Sequence, residues 1–319
     1  MVSIVNREGE SSDLLESELW CHAVETQFGG VETTLAESEG LPWGALSGNQ
    51  LGVVGAFQMS GPPQVFRRSA SAIKRFQIDL LKVCIQLTGR AVLHQDGREI
   101  ELGPGDLAIY DTARPYEMRL DGTWSCEVLT LPRTSLALPW RAVALAMERA
   151  FRTDVGAGAV LTNLVSAMTV HPPLQHERAA AEMGDAGLHL LAGTLVQDGS
   201  VLRADPIDDI RLRVMAYIRN RLSDPQLTHA SVASAHHLSP RSLDRLFAEE
   251  PYTVVGYIRH LRLAAVHREL SDPVAFPSSI SGIAARWGFH NPAHFARIFK
   301  DTYGKSASQV RSEGLQASS

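Results

Sequence analysis

The chain has 319 residues, of which 45% are hydrophobic and 20% charged, with a formal net charge of –5. That length suffices for two domains with proper cores, and the composition excludes a chain dominated by disorder. No apolar run approaches the roughly eighteen residues of a membrane span, and no basic, apolar leader is evident from Met1 to Gly30, so a cytoplasmic location without a membrane partner is expected.

Residues 1–30 read as a polar start followed by one amphipathic helix around Leu14 to Phe28, in which Trp20, Val24 and Phe28 recur four apart and can dock it on the adjoining domain. From about Glu32 to Leu131 the period changes to short strand-like runs split by Gly, Pro and Asp-Gly pairs. Leu51 to Phe57, Ile78 to Leu87, Arg90 to His94, Leu107 to Tyr110 and Glu127 to Leu131 are the expected strands, with hairpin turns at Asp96-Gly97 and Asp121-Gly122. Many short strands at close spacing imply a small antiparallel barrel or sandwich.

Within that region Gly89-Arg90 to Asp106, Ile109-Tyr110-Asp111 and Arg114-Pro115-Tyr116 resemble the cupin-like effector domain of AraC-type regulators. Metal-binding cupins would place an H-x-H pair and a Glu near His94 and a further His after the Pro-Gly turn. Here His94 stands alone and Tyr110 lies near the later place, so neither a metal nor a cofactor is expected. The cysteines Cys21, Cys84 and Cys126 are scattered, odd in number and without a C-x-x-C, which points to small buried hydrophobes and away from zinc or disulfides.

Helical spacing returns from about Ser135 to Val201. Val143, Met147, Ala150 and Phe151 form one stripe, and Val160, Leu161, Leu164 and Met168 a second, which His171-Pro172-Pro173 ends. Leu188, Leu191, Leu195 and Val196 form a third. The resemblance implies that two copies pair through helices just after the barrel, which singles out this third stripe as the dimer element.

A boundary is expected from Gly199-Ser200 to Asp205, with Asp205 as cap and Pro206 at the first helical position. Asp208 and Asp209 then lie at the positive end of a helix that buries Ile210, Val214, Tyr217 and Ile218. From there the charge changes sign. Residues 207–319 hold 14 Lys and Arg against 10 Asp and Glu, which leaves 16 against 25 for residues 1–206. A basic unit behind an acidic one fits a nucleic-acid reader.

The basic part contains one pattern twice. Val232-Ala233, four residues, Leu238, then Leu243-x-Arg245-Leu246-Phe247 is matched by Ile283-Ala284, four residues, Phe289, then Phe295-x-Arg297-Ile298-Phe299. In the later copy Gly288 can close a first helix, Asn291 can cap a second, and Pro292 falls at its first position. Each copy reads as a helix-turn-helix, at about 228–250 and 280–301. A helix from about Thr253 to Leu270, apolar at Val254, Ile258, Leu261 and Ala265, joins them, and Ser271 to Ser279 resets the chain.

The whole segment 207–311 resembles the double helix-turn-helix domain of the AraC/XylS family of bacterial transcription regulators. The resemblance rests on Leu238-Ser239-Pro240-Arg241-Ser242-Leu243-x-Arg245-Leu246-Phe247, on Tyr257-Ile258-Arg259 with Arg262-Leu263, and on G-F-x5-F-x-R-x-F-K-x3-G from Gly288 to Gly304. Ser306-Ala307 departs from it, where the family usually has a Pro.

The expected fold class is therefore α+β with two domains. Residues 1–203 form a cupin-like effector-binding and dimerisation domain (barrel about 32–131, helices about 135–201), and residues 204–319 an all-α DNA-binding domain. Arg241, Asp244 and Arg245 on the first recognition helix and Ala293, Ala296 and Arg297 on the second are expected to face bases. Arginine forks match guanine, and alanine methyls can meet thymine methyls. Ser239, His294 and Lys300 are placed for phosphates. Trp43, Phe57, His94, Tyr110, Arg114 and Tyr116 are candidate effector-pocket residues, because a pocket wants aromatics with a few convergent polar groups.

The function so implied is a sequence-specific regulator of promoter DNA, dimeric, responsive to a small molecule, and an activator in contact with RNA polymerase. The alternative is a metal-dependent cupin enzyme, disfavoured by its missing ligands. An alkyl-transfer repair protein would need a reactive cysteine cluster that three scattered cysteines do not supply.

Overall fold

The structure, a computed structural model, describes residues 2–4, 13–36, 41–76, 80–170, 177–197, 199, 206–271 and 279–316. The strand start at Ile78, the helix stop at His171-Pro172-Pro173, most of the 199–205 boundary with its Asp205 cap, and the reset after Ser271 lie outside these residues, as do the side chains of Asp208 and Asp209. The chain divides into two compact units, the first holding all the strands and the second holding 202–319 together with 137–141 and 174–182, where the third and fifth helices begin.

In the first unit β1 (Val2–Ile4) precedes α1 (Asp13–Phe28), followed by β2 (Glu32–Leu35), β3 (Ala45–Leu51), β4 (Val54–Gly61), β5 (Gln64–Arg68) and α2 (Ala70–Phe76). Next come β6 (Leu80–Gln95), β7 (Arg98–Leu102), β8 (Asp106–Asp111), β9 (Tyr116–Pro132), α3 (Trp140–Ala146), β10 (Phe151–Arg152), α4 (Gly156–Val170) and α5 (Glu177–Val196). The sheet is antiparallel with order β1-β3-β4-β9-β6-β8-β10, while β5 adds to β9, β2 to β5 and β7 to β6.

Two long strands hold this barrel together. The half of β6 that begins at Leu80 pairs with β8 and the end of β9, and the half that ends at Gln95 pairs with β7 and the start of β9. Both strands bend at the same level. The β6–β9 register shifts between Gln86 and Arg90, where Gly89 has φ +71°, and a Cβ there would sit 2.9 Å from the Thr123 carbonyl oxygen. Only glycine fits so close an approach at positive φ.

Three local expectations are corrected by this pairing. Asp121-Gly122 is an irregularity inside β9, not a hairpin turn, because the strand keeps its partner β6 on both sides of it. Leu51 to Phe57 is not one strand, since Gly52 at φ +64° turns β3 into β4. The stripe from Val143 to Phe151 breaks after Ala146, and Phe151 instead pairs with Leu107. Asp96-Gly97, with both φ values positive, is the hairpin turn expected between β6 and β7.

Alternation in the strands separates two apolar layers. The inner one gathers Trp20, Val24 and Phe28 of α1 with Phe66, Cys84, Tyr110, Tyr116, Trp124 and Cys126, so α1 docks through the stripe read from its spacing. Trp20 Nε1 donates to Gln64 Oε1 at 2.9 Å, which satisfies the buried indole. On the outer layer α4 lies against β3, β4 and β9. Helix α5 comes so near the β3–β4 turn that a Cβ on Gly184 would meet the Leu51 carbonyl oxygen at 2.3 Å. Leu188, Leu191 and Leu195 are buried, so they are core, and a partner copy could use only another side of α5.

The second unit contains α6 (Pro206–Asn220), α7 (His229–Ala235), α8 (Pro240–Leu246), α9 (Val254–Ser271), α10 (Ile280–Arg286), α11 (Pro292–Tyr303) and α12 (Ala307–Gln316). It has two cores, and α9 serves both. Val254, Tyr257 and Ile258 pack with Val214, Ile218, Val232, Leu243 and Phe247, while Leu263, Val266 and Leu270 pack with Ile283, Phe295 and Phe299. A helix anchored at both ends in different cores is a stiff spacer.

The sequence repeat is also a backbone repeat. Leu238 N donates to Ala233 O and Phe289 N to Ala284 O, each at 2.9 Å. His237 (φ +55°) and Gly288 (φ +83°) occupy the same place in their turns. A Cβ on Gly288 would fall 2.7 Å from Nη1 of Arg262, whose guanidinium donates to Leu222 O (3.1 Å) and Asp224 O (2.8 Å). We therefore expect Gly288→Ala to cost about 1–3 kcal/mol in thermal unfolding of this unit. For His237→Gly, relief of the left-handed conformation offsets glycine's entropy, and it should stay within about 1 kcal/mol of wild type. Equal stability of Gly288→Ala would mean that Arg262 is not tied as described.

Candidate DNA-reading surface and barrel cavity

The caps decide how each recognition helix presents itself. Ser239 Oγ accepts from Ser242 N at 3.1 Å to start α8, and Asn291 Oδ1 accepts from His294 N at 3.0 Å to start α11, each with proline next. On α8 Leu243 and Leu246 are buried, which leaves Arg241, Asp244 and Arg245 exposed on the opposite side. On α11 Phe295 and Phe299 are buried, and Ala293, His294, Ala296, Arg297 and Lys300 are exposed. All six residues expected to face bases and all three expected at phosphates thus lie on open surface. Ser239 has a further occupation, since its oxygen is committed to the helix cap.

Two side chains on this surface are oriented by neighbours. His229 Nε2 lies 2.8 Å from Asp244 Oδ1, so Asp244 is held toward α7 and not toward Arg241 or Arg245. Arg297 Nη2 lies 3.5 Å from His294 Nδ1. Arg245 and Arg297 stand at equivalent positions of the two copies, and both are exposed.

The barrel contains a small cavity of about 20 Å³, partly open to solvent. Phe28 from α1, Phe66 from β5, Met59 from β4, Tyr110 from β8 and Tyr116 from β9 form its apolar and aromatic wall, and Lys82 from β6 is its cation. The rings of Tyr110 and Tyr116 meet edge-on with centroids 4.8 Å apart. Burial pushes both phenols above their usual range and pushes the Lys82 ammonium down to about 7.

Of the six pocket candidates, Tyr110 and Tyr116 belong to this wall and four do not. Phe57 is buried edge-on against Phe28, with centroids 5.5 Å apart, and adds no wall. Trp43 is 48% exposed and contributes only its carbonyl, to Gln64. The ring of His94 faces outward to Glu99 at 3.6 Å across the β6–β7 hairpin. Arg114 is spent on Asp96 (2.7 Å) and Asp111 (3.2 Å) outside the cavity. Among the described residues no three His, Cys, Asp or Glu side chains gather as a metal site, and Cys84 and Cys126 are buried.

The residue missed is Lys82. Its only signal is a charge inside the apolar run Leu80 to Ile85, and nothing local says which face of the strand it takes.

The AraC-binding-like domain matches residues 20–196, more than half of the chain, and a helix-turn-helix domain matches 232–313. The chain belongs to the AraC family of transcription regulators. The transcriptional activator NphR of Rhodococcus sp is 28% identical over 237 residues, which covers 72% of this chain and 69% of that protein. The XylDLEGF operon transcriptional activator 3 of Pseudomonas putida is 32% identical over 99 residues, 31% of this chain and 30% of that one. The AraC-like transcriptional activator CuxR has a similar fold, at a TM-score of 0.52 and 20% identity over 82% of this chain and 94% of its own. As an AraC-family member the chain is a DNA-binding transcription regulator, with a helix-turn-helix domain behind a cupin-like effector-binding domain. Among the described residues no helix is long and apolar enough to cross a membrane.

Proposed function

We propose that this regulator is a cytoplasmic activator that reads promoter DNA as a homodimer and contacts RNA polymerase. In this reading residues 1–203 sense an effector and pair two copies without catalysing a reaction, and residues 204–319 bind DNA through motifs at 228–250 and 280–301. The observation that carries it is the pair of exposed arginines, Arg245 and Arg297, at equivalent places on two capped helices that α9 couples through a shared position in both cores. Two such helices on one rigid element suit successive major-groove faces about 34–36 Å apart.

Arg241 and Arg245 serve guanine, Arg297 does the polar reading of the second site, and Ala293 and Ala296 meet thymine methyls. Asp244 positions His229 or accepts from cytosine N4. Ser239 with its helix N-terminus, His294 and Lys300 hold phosphates. Activation is supported by the names of NphR and the XylDLEGF relatives, which are called transcriptional activators.

DNA selected from a random pool by the wild-type chain provides the test. Arg297→Ala should lose about 1–3 kcal/mol of affinity, concentrated at one base position, with the fold intact. Lys300→Ala should weaken all sequences alike and lower the salt slope. Wild-type affinity and specificity in Arg297→Ala would remove the second helix from the reading surface.

A further inference from the structure

Lys82 lies on the inward side of β6 with Cys84, 5% exposed, between β8 and β9. Its Nζ sits 3.8 Å above the centre of the Phe28 ring and 5.7 Å from those of Tyr110 and Tyr116, and it reaches the Tyr116 hydroxyl at 3.4 Å. The cavity wall includes no carboxylate, and among the described residues Lys82 has no ion-pair partner.

A second cation lies beside it. Arg68 is fully buried and alternates with the wall residue Phe66, so it shares the inward face of β5, directly across from Tyr116. Its Nε donates to Thr112 O at 2.9 Å, but Nη1 and Nη2, both buried, have no hydrogen-bond partner. Buried cations are ordinarily paired, because an unpaired one forfeits its hydration without return. Arg68 does not line the cavity but is buried next to Tyr116, which does, and its idle guanidinium fork together with Lys82 offers a seat for an anion.

The rest of the wall limits that anion. Beyond Lys82, the tyrosine hydroxyls and the thiols of Cys84 and Cys126 it is apolar, so it accepts one charged head on an apolar body, and it repels amines. The lumen is narrow, and Met59 and Met118 are the flexible side chains that would re-pack around a body of about one ring.

We propose that the barrel of this chain takes a small monocarboxylate with an apolar body, its carboxylate seated between Lys82 and Arg68 under the Tyr116 hydroxyl. This rests on the barrel being the effector site and names the chemical class of that effector. Because burial holds the empty-cavity ammonium near pH 7, a bound carboxylate draws a proton onto Lys82, and affinity falls as the pH rises above about 7.

The test is calorimetry on the full chain with monocarboxylates of four to nine carbons, linear, cyclic and aromatic, each beside its primary amide and amine. The expected result is saturable binding of at least one carboxylate, one per chain, at least tenfold tighter than its amide, with no binding of the amine and with proton uptake at pH 8. Lys82→Met and Arg68→Met should each weaken it at least tenfold, and Lys82→Gln serves if Met disturbs the fold, which ligand-free unfolding reports. The proposal fails if no carboxylate outbinds its amide, or if folded Lys82 and Arg68 variants bind as wild type. Affinity for selected DNA, measured with and without the carboxylate, separates the two readings. A carboxylate that binds without changing DNA affinity leaves the seat intact and removes the effector role, whereas an amide or amine that changes DNA affinity does the reverse.

Discussion

The first unit should be least stable near pH 7 and gain stability on either side. Glu127 on β9 is buried beneath α4, where Ser166 Oγ donates to it at 2.5 Å, and burial pushes its carboxyl from the usual 4.5 to about 7. Between those values the folded chain keeps a proton that the unfolded chain has released. Stability therefore falls as the pH rises through that window, by roughly 3 kcal/mol in total. For Lys82, burial lowers the ammonium from 10.5 to about 7. Above pH 7 the unfolded chain holds the extra proton, so stability rises with pH toward 10.5, by roughly 5 kcal/mol over the full window.

Most globular domains are instead most stable between about pH 5 and 8, so the inverted profile is distinctive. Glu127→Gln should flatten the acid limb and Lys82→Met the alkaline one, and Lys82→Met should also stabilise the empty barrel at neutral pH. Hydrogen exchange in β6 and β9 peptides at pH 5, 7 and 9 reads this for the barrel alone. Variant profiles parallel to wild type would show that these two groups do not set the profile.

Phe299→Ala is the second large effect. Phe299 is fully buried on α11, ringed by Phe295 (5.4 Å between centroids), Tyr303 (4.8 Å) and the stacked His267 (6.0 Å). Truncating such a ring costs about 3–5 kcal/mol in lost burial and a residual cavity. Phe299 packs in the second helix-turn-helix core with Leu263, Val266, Ile283 and Phe295 from α9, α10 and α11, so the loss should abolish protection in α10 and α11 and most DNA affinity, while exchange in β6 and β9 stays as in wild type. Phe299→Leu should fall between. Protection retained in α11 of Phe299→Ala would mean that the second core stands on other contacts.

The barrel and the second helix-turn-helix differ in how far they can be read from residues alone. The helix-turn-helix copies are written in short-range terms. A cap three residues from its donor, a proline at the next position and an apolar stripe at i, i+3 and i+4 suffice to place α8 and α11 and to turn Arg245 and Arg297 outward. The docking stripe Trp20, Val24 and Phe28 on α1 was legible for the same reason. In each case the interacting groups lie within one or two turns of the chain.

The barrel obeys longer-range terms. Asp121-Gly122 has the residues of a hairpin, yet β9 runs through it because β6 offers partners on both sides and bends at Gly89 opposite. Leu188, Leu191 and Leu195 look like a free stripe until α4 and the β3–β4 turn close on α5 through Gly184 and Gly193. The amino-acid sequence by itself determined the family, the two helix-turn-helix motifs and their outward arginines. Which candidates reach the cavity was decided only by the tertiary structure. A strand has two faces, and strand pairing over tens of residues turned Lys82, Arg68, Tyr110 and Tyr116 inward and His94 out.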